Sequence, residues 1–433
     1  MEDLRITRLV LNNVGVFEHL DLSFEKKQLK DKAEIHIFTG ENGTGKTTLL
    51  EAMTYFDAWF NKSLLEENNK DDSNYLYQKL YTSRKVINSE NLSIKVYFQE
   101  KEIEFYASGE NPFIVNSDFF EFYYNANKNA TSVYRRYSFF AYSGQRQLNN
   151  TKIEAFKSYE FNPLAEALTF NKTHGNTNLF QWIANNKTRS ALSFQKGNKK
   201  DSEEYLASIL KIENAVGEII GRKVEFIIDE YSLNVMVKLD NESIHYNTLP
   251  DGYKSVISWL TDLMFRLDYI TGEGKENFTL FLDEIDIHLH PAAQRRILPV
   301  IQKLFPKAQI FLTTHSPFVI GSVDDAWVYK FKLDETGNSV LDGEPFLTED
   351  ARSYRYILEQ VFDINKQFGI EVEKQLDDFY KKRDEVIKKP SDSSLKELEK
   401  SSRDLALQGD ELRAIMGNEL KQLSRILKKE ITL

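Results

Sequence analysis

The run Gly40-Glu41-Asn42-Gly43-Thr44-Gly45-Lys46-Thr47 matches G-x-x-x-x-G-K-[ST] at every fixed position. An apolar strand, Glu34 to Phe38, precedes it and the helix start TTLLEAM follows. That context separates the motif from a chance glycine-rich turn. Glycines let backbone N–H groups wrap phosphate oxygens, and the helix N-terminus brings its positive dipole end to the same point. Gly40, Glu41, Asn42, Gly43, Thr44, Gly45 and Thr48 are expected to line this cradle. Lys46 is placed to meet β- and γ-phosphates, and the Thr47 hydroxyl to bind Mg2+. The motif implies a nucleoside triphosphate ligand.

A chain of 433 residues is long enough for two or three folding units. With 41% hydrophobic residues it is not disordered throughout. The absence of cysteine excludes a disulfide scaffold, a zinc ribbon and a thiol nucleophile, and fits a reducing cytoplasm. No run approaches the ~18 uncharged apolar residues needed to span a bilayer. The start MEDLRITRLV lacks the basic-then-apolar order of a signal peptide, so a cytoplasmic location without membrane contact is expected. A net charge of -10 does not favour a general grip on nucleic acid, although it leaves room for a local basic strip.

Along the chain, RITRLVLNNVGVFEHLDLSF alternates as half-buried strands do. Leu92, Ile94, Val96 and Phe98, answered by Ile103 and Phe105, read as a hairpin. Residues 62–90 read as a surface excursion. Residues 149–222 read as a helical insertion whose end carries Tyr205, Leu206, Ile209, Leu210, Val216, Ile219 and Ile220 on one face. Strands are expected at Val224–Ile228 and Leu233–Leu239, and a helix at Gly252–Leu267. A second β-α-β unit follows, made of FTLFLDE, a helix over 291–304, and QIFLTTH. FTLFLDE does not alternate, which suits a strand buried on both faces. Strands are expected to stop after about 345, leaving helices near 352–362, 370–389 and 394–428. The expected domains are 1–148 and 223–345 as two lobes of one α/β unit, the insertion at 149–222, and a helical domain at 346–433.

Asp283 and Glu284 close the strand FTLFLDE. Asp283 is placed to hold Mg2+ through water and Glu284 to polarise an attacking water. QIFLTTH ends in Thr314-His315-Ser316, where a histidine could hydrogen-bond a γ-phosphate and sense its loss. Ala141-Tyr142-Ser143-Gly144-Gln145-Arg146 follows an aromatic strand and puts the Gln145 amide near metal and water. Leu249-Pro250-Asp251-Gly252-Tyr253-Lys254 opens a helix. His288 and His290 have no third ligand nearby, so they read as a turn packing against a neighbouring subunit rather than as a metal site.

These five segments, in this order, resemble the ABC-type ATPase heads of the RecF and SMC-like group, in particular stand-alone bacterial AAA-family ATPases. The resemblance covers roughly residues 4–60, 90–148 and 224–330. It implies an α/β head with a P-loop, a mixed sheet and an antiparallel subdomain, extended by a helical insertion and a C-terminal helical domain. ATP with Mg2+ is the implied ligand. Thr47, Gln145 and Asp283 become the metal-side residues, and Glu284, His315 and Gln145 the catalytic set. Asp251, Gly252, Tyr253 and Lys254 become the signature, and Asp286 the D-loop residue, all near nucleotide. The family clasps ATP between two heads, head to tail, so a homodimer or higher oligomer is implied.

The usual signature serine is Pro250 here, which offers neither a hydroxyl nor a backbone N–H, so hydrolysis is expected to be slow. The forms AYSGQR and LPDGYKS are similar to those of Septu-type anti-phage ATPases, whose companion is an HNH nuclease. DNA would then be reached mainly through the partner. The seven histidines (19, 36, 174, 245, 288, 290 and 315) are scattered, and no D-x-D lies on an apolar strand after His315, so cutting is expected on a separate chain. Two apolar stripes remain: Leu412, Ile415, Met416, Leu420, Leu423, Ile426 and Leu427, and Val372, Leu376 and Phe379. They read equally as internal helix packing or as a docking face for that nuclease. A RecF-like repair ATPase acting on DNA directly is the competing reading.

Overall fold

The computed structural model describes residues 5–28, 31–64, 91–99, 101–108, 111–114, 137–144, 147–148, 163–164, 167–168, 170, 173–174, 178–229, 234–270, 277–348 and 353–432. The chain divides into two compact units, Met1–Ile357 and Leu358–Leu433.

In the first unit the alternating segments form an antiparallel sheet. Its strands are β1 (Ile6–Val14), β2 (Phe17–Ser23), β4 (Asn91–Phe98), β5 (Lys101–Ser108) and β6 (Asn111–Ile114), in the order β2-β1-β4-β5-β6. The apolar runs form the centre of a second, mixed sheet. Here β3 (Glu34–Gly40), β14 (Gln309–Thr313), β13 (Phe278–Asp283) and β7 (Ser138–Ser143) lie side by side and parallel. Every residue of β7, β13 and β14 is buried, which is why none has a polar face. Beyond β3 runs β15 (Ala326–Leu333), also parallel, which pairs antiparallel with β16 (Ser339–Leu341) and β17 (Phe346–Leu347). Gln309 fastens the two sheets together. Its amide accepts from Ile6 N and donates to Ile6 O, each at 2.9 Å, beside the buried Arg5–Glu34 pair at 2.7 Å.

The helices arise where the period changes. α1 (Lys46–Leu64) leaves the end of β3, and α2 (Asn178–Gln195) and α3 (Lys199–Ile220) form a hairpin. A three-stranded meander of β10 (Val224–Ile228), β11 (Val235–Leu239) and β12 (Glu242–His245) leads to α4 (Asp251–Tyr269). α5 (Pro291–Leu304) joins β13 to β14, with Pro291 opening its first turn. The short helices α6 (Pro317–Ile320) and α7 (Tyr354–Gln360) follow. Among the described residues, β8 (Gln147–Leu148) and β9 (Thr173–His174) add a small parallel pair.

Strands end at Leu347, close to the expected limit of about 345; β15, β16 and β17 fill the stretch after β14, where a tight turn at Asp334–Gly337 folds the polar-flanked segment back on itself. One expectation is corrected. On α3, Leu210 is 47% exposed and Glu213 lies inside instead. Its carboxylate accepts from Phe226 N at 2.7 Å and Lys187 Nζ at 3.3 Å, so the helix face carries a satisfied polar anchor. Most of the 62–90 excursion, much of 149–177, and Leu233 lie outside the described residues.

In the second unit the expected helix at 394–428 is two helices. α8 (Ile370–Lys388) is followed by α9 (Asp392–Ala406) and α10 (Asp410–Leu427), which are separated at Gln408–Gly409. Ser391 and Ser394 start α9 with a capping box. The two apolar stripes close on each other: Leu376, Phe379, Leu398, Leu405, Leu412, Met416, Leu420 and Leu423 share one core. Ile426 lies outside it, at 58% exposure. Internal packing therefore takes up both stripes. Truncating Phe379 to Ala should cost about 3–5 kcal/mol, while Ile426→Ser should stay within about 0.5 kcal/mol. Chemical denaturation of the full chain reads both, and a reversed order of the two would contradict this packing.

Candidate functional site

The cradle forms where β3 stops and α1 starts. Gly40, Gly43 and Gly45 have φ of 139°, 85° and 81°, a left-handed path that side-chain-bearing residues resist. The Ser339 hydroxyl on β16 donates to Thr44 O at 2.7 Å and holds the loop from above. Lys46 Nζ lies over the loop, 3.0 Å from Gly40 O, 2.7 Å from Glu41 O and 3.4 Å from Thr44 Oγ1. Burial lowers the Lys46 pKa, against the raising pull of Asp283, Glu284 and Asp286. The result is a confined cation beside a helix N-terminus, which is the chemistry of an anion site.

The ends of the central strands converge on this lysine. Thr47 Oγ1 donates to Asp283 at 2.9 Å, and Thr313 Oγ1 donates to the same carboxylate at 2.7 Å. Thr313 Oγ1 also accepts from Glu284 N at 2.7 Å, fixing the backbone of Glu284 at a left-handed φ of 52°. Such a conformation in a non-glycine residue marks stored strain of about 1–3 kcal/mol. Asp286 is engaged within its own chain, accepting from Thr314 Oγ1 at 2.5 Å and His315 N at 3.3 Å. Gln294 on α5 bridges the same segments. Its amide donates to Asp286 O and Leu289 O, and its carbonyl accepts from Ser316 Oγ at 2.7 Å. Neither Gln294 nor Ser339 stands out in the sequence, because each adjoins another polar residue, Arg295 and Asn338, and reads as part of a solvated surface.

The signature segment occupies a different place. Pro250 is the N-cap of α4, with φ -55° and ψ 144° and no side-chain capping bond. Lys254 pairs with Asp251 at 3.2 Å. Among the described residues, no hydrogen bond or ion pair joins 248–254 to 40–47. Gln145 and Arg146 lie outside the described residues. His288 is exposed, and His290 Nδ1 caps α5 by accepting from Ala292 N at 3.2 Å, so one of this pair has a structural use inside the chain. Among the described residues no group of three or more metal-ligating side chains gathers.

His315 stays open to solvent on one side. Partial burial of its ring, then the Lys46 cation, hold its pKa below the ordinary value, against Asp286 and Glu284. The unfolded chain therefore takes up this proton first. The stability held by a neutral His315 is full above about pH 6.5 and is lost as pH falls below it. A histidine-resolved NMR titration should place the His315 midpoint below 6.5, and Lys46→Met should move it upward. A midpoint at or above 6.5, or no response to Lys46→Met, would contradict this electrostatic contact.

Comparison with known proteins gives the chain's relatives. The family model described as "AAA domain, putative AbiEii toxin, Type IV TA system" matches residues 35–321. The chain is 23% identical to the Septu protein PtuA of Bacillus thuringiensis over 411 residues, covering 89% of this chain and 94% of that protein. It is 24% identical to the Retron Vc95 probable ATPase of Vibrio cholerae serotype O1 biovar El Tor over 396 residues, 75% of each. Among solved structures, an SMC head bound to the C-winged helix domain of ScpA superposes with a TM-score of 0.45 at 11% identity, covering 80% of this chain and 98% of that one. Since the family match spans about two thirds of its length, the protein belongs to this AAA-domain family and is similar to Septu PtuA.

Proposed function

We propose that the chain binds ATP with Mg2+ between two of its own copies and uses nucleotide occupancy to control a separate HNH-type nuclease in anti-phage defence. The observation that carries this reading is that, among the described residues, no hydrogen bond or ion pair joins the α4 tip to the cradle of its own chain. Lys46, Thr47, Asp283 and His315 meet at the cradle, while Gly252 and its helix tip engage other parts of the same chain. A second copy, stacked head to tail, would bring its α4 tip to the open side of the phosphates. The paired hydroxyl and carboxylate of Thr47 and Asp283 are hard oxygen donors suited to Mg2+, which would neutralise phosphate charge there. Glu284 would orient and polarise the attacking water, His315 would contact the γ-phosphate, and Gln145 would assist from the segment after β7. Pro250 supplies no donor at the signature, so turnover would be slow and occupancy, more than hydrolysis, would carry the signal.

Nucleotide can favour the closed pair only through its higher affinity for that state. The defence role rests on similarity to Septu PtuA and to the retron ATPase. The division into head lobes, insertion and C-terminal domain is part of the same proposal. Because both apolar stripes are spent inside the C-terminal bundle, a nuclease would dock on its outer faces, where Ile370 is 79% and Leu407 78% exposed. DNA would be engaged mainly through that partner.

Mass photometry with and without ATP tests the assembly. Glu284→Gln should accumulate dimers with ATP, and Lys46→Ala should form none; dimers of Lys46→Ala that respond to ATP would contradict the reading. Pro250→Ser should raise kcat several-fold, and an unchanged rate would remove the signature serine as the explanation for slow turnover.

A further inference from the structure

The tip of α4 that would cap a neighbour's nucleotide is seated on the loops carrying its own chain's catalytic pair. A Cβ built on Gly252 would lie 2.4 Å from His288 O, so this glycine permits the helix tip to rest directly on the turn after Glu284. One turn further along, the buried Ser255 hydroxyl donates to Gly144 O at 2.5 Å. Gly144 N in turn donates to Asp283 O at 2.7 Å. A Cβ on Gly144 would lie 2.0 Å from Glu284 O, so only glycine allows the segment before Gln145 to touch the Glu284 backbone.

Deeper in the helix the attachment to the same strand is repeated. Tyr142 OH donates to Asp262 at 3.0 Å, and Arg266 Nε pairs with that carboxylate at 2.6 Å. Asp262 is fully buried and Arg266 nearly so. Arg266 also donates to Pro163 O at 2.8 Å. A shift of the helix tip on the ångström scale therefore has to move Gly144, and Gly144 cannot move without displacing Asp283 and Glu284, because packed interiors transmit such shifts.

We infer that Ser255 is a positioning residue that links the two nucleotide sites of the dimer: capture of a neighbour's γ-phosphate by the α4 tip is passed through Ser255 and Gly144 to Glu284 of the same chain. This inference rests on the nucleotide-bridged dimer proposed above. Each copy's catalytic glutamate then reports on the nucleotide held by the other copy, and hydrolysis is positively cooperative. Neither touching the nucleotide nor carrying charge, Ser255 acts only through the Gly144 carbonyl.

The test compares Ser255→Ala, Ser255→Thr and Ser255→Cys in the full chain, by ATP turnover against ATP concentration and by mass photometry with ATP. For the parent, the Hill coefficient should lie between 1 and 2. Ser255→Ala should lower it to about 1 and cut kcat several-fold, with the half-saturating ATP concentration changed less than about twofold and dimers still formed. Ser255→Thr, which keeps the hydroxyl, should recover cooperativity, and Ser255→Cys, a weaker donor of similar size, should fall between them. If Ser255→Ala melts early, the Thr and Cys variants carry the comparison. A non-cooperative parent, or Ser255→Thr as damaged as Ser255→Ala, would overturn the coupling while leaving the dimer intact. Absence of any ATP-dependent dimer in the parent would overturn the dimer reading and the coupling together, which distinguishes the two failures.

Discussion

The carboxylate of Asp283 is the meeting point on which the rest of the site depends. It lies at the end of a fully buried strand, 7% exposed, and receives hydroxyls from the helix that follows the phosphate loop and from the neighbouring strand. Its carbonyl receives Gly144 N, from the strand on the other side. Three elements separated widely in sequence are thus fixed to one residue. A buried carboxylate is tolerated only when such donors compensate its desolvation, so the convergence of these strand ends is an energetic requirement as well as a catalytic convenience. In an open parallel sheet, the strand ends are also where ligands bind.

The strand-rich half was legible where pattern and chemistry coincide. FTLFLDE and QIFLTTH combine full burial with polar residues only at their ends, and both become neighbouring central strands. The cradle was legible because its glycines, lysine and threonine are contiguous. β15 and β16 were missed because Lys330 and Lys332, with Asp342 between them in space, give that hairpin a polar surface that masks its register. The roles of Ser339, Gln294 and Ser255 were invisible for another reason. Each is a single small or amide side chain with a partner far away in sequence, Thr44 O, Ser316 Oγ and Gly144 O, and no local spacing encodes such a pairing. The C-terminal stripes show the limit of periodicity itself, since an amphipathic face does not say whether its partner is on the same chain.

The two half-sites differ in how they are built. The cradle is held by its own strand, helix and the β16 hydroxyl, and presents a cation under low exposure. The α4 tip lacks a side-chain cap, so its first amides remain free of that competition, and it is supported from behind by the turn at His288 and by Gly144. A helix end with uncapped amides and a rigid seat is preorganised for an anion delivered from outside. The proline at its N-cap fixes φ while removing a donor, which favours binding without adding stabilisation at the transferring phosphate.

The chain contains no cysteine, so site-directed cross-linking can address the central claim without background. Asn42, on the cradle, and Asp251, on the α4 tip, are both exposed. In protein carrying Asn42→Cys and Asp251→Cys together with Glu284→Gln, ATP and Mg2+ under mild oxidant should produce a dimer-sized disulfide product that is absent without nucleotide. A product that forms equally with and without ATP, or no intermolecular product at all, would contradict the account of nucleotide held between two copies.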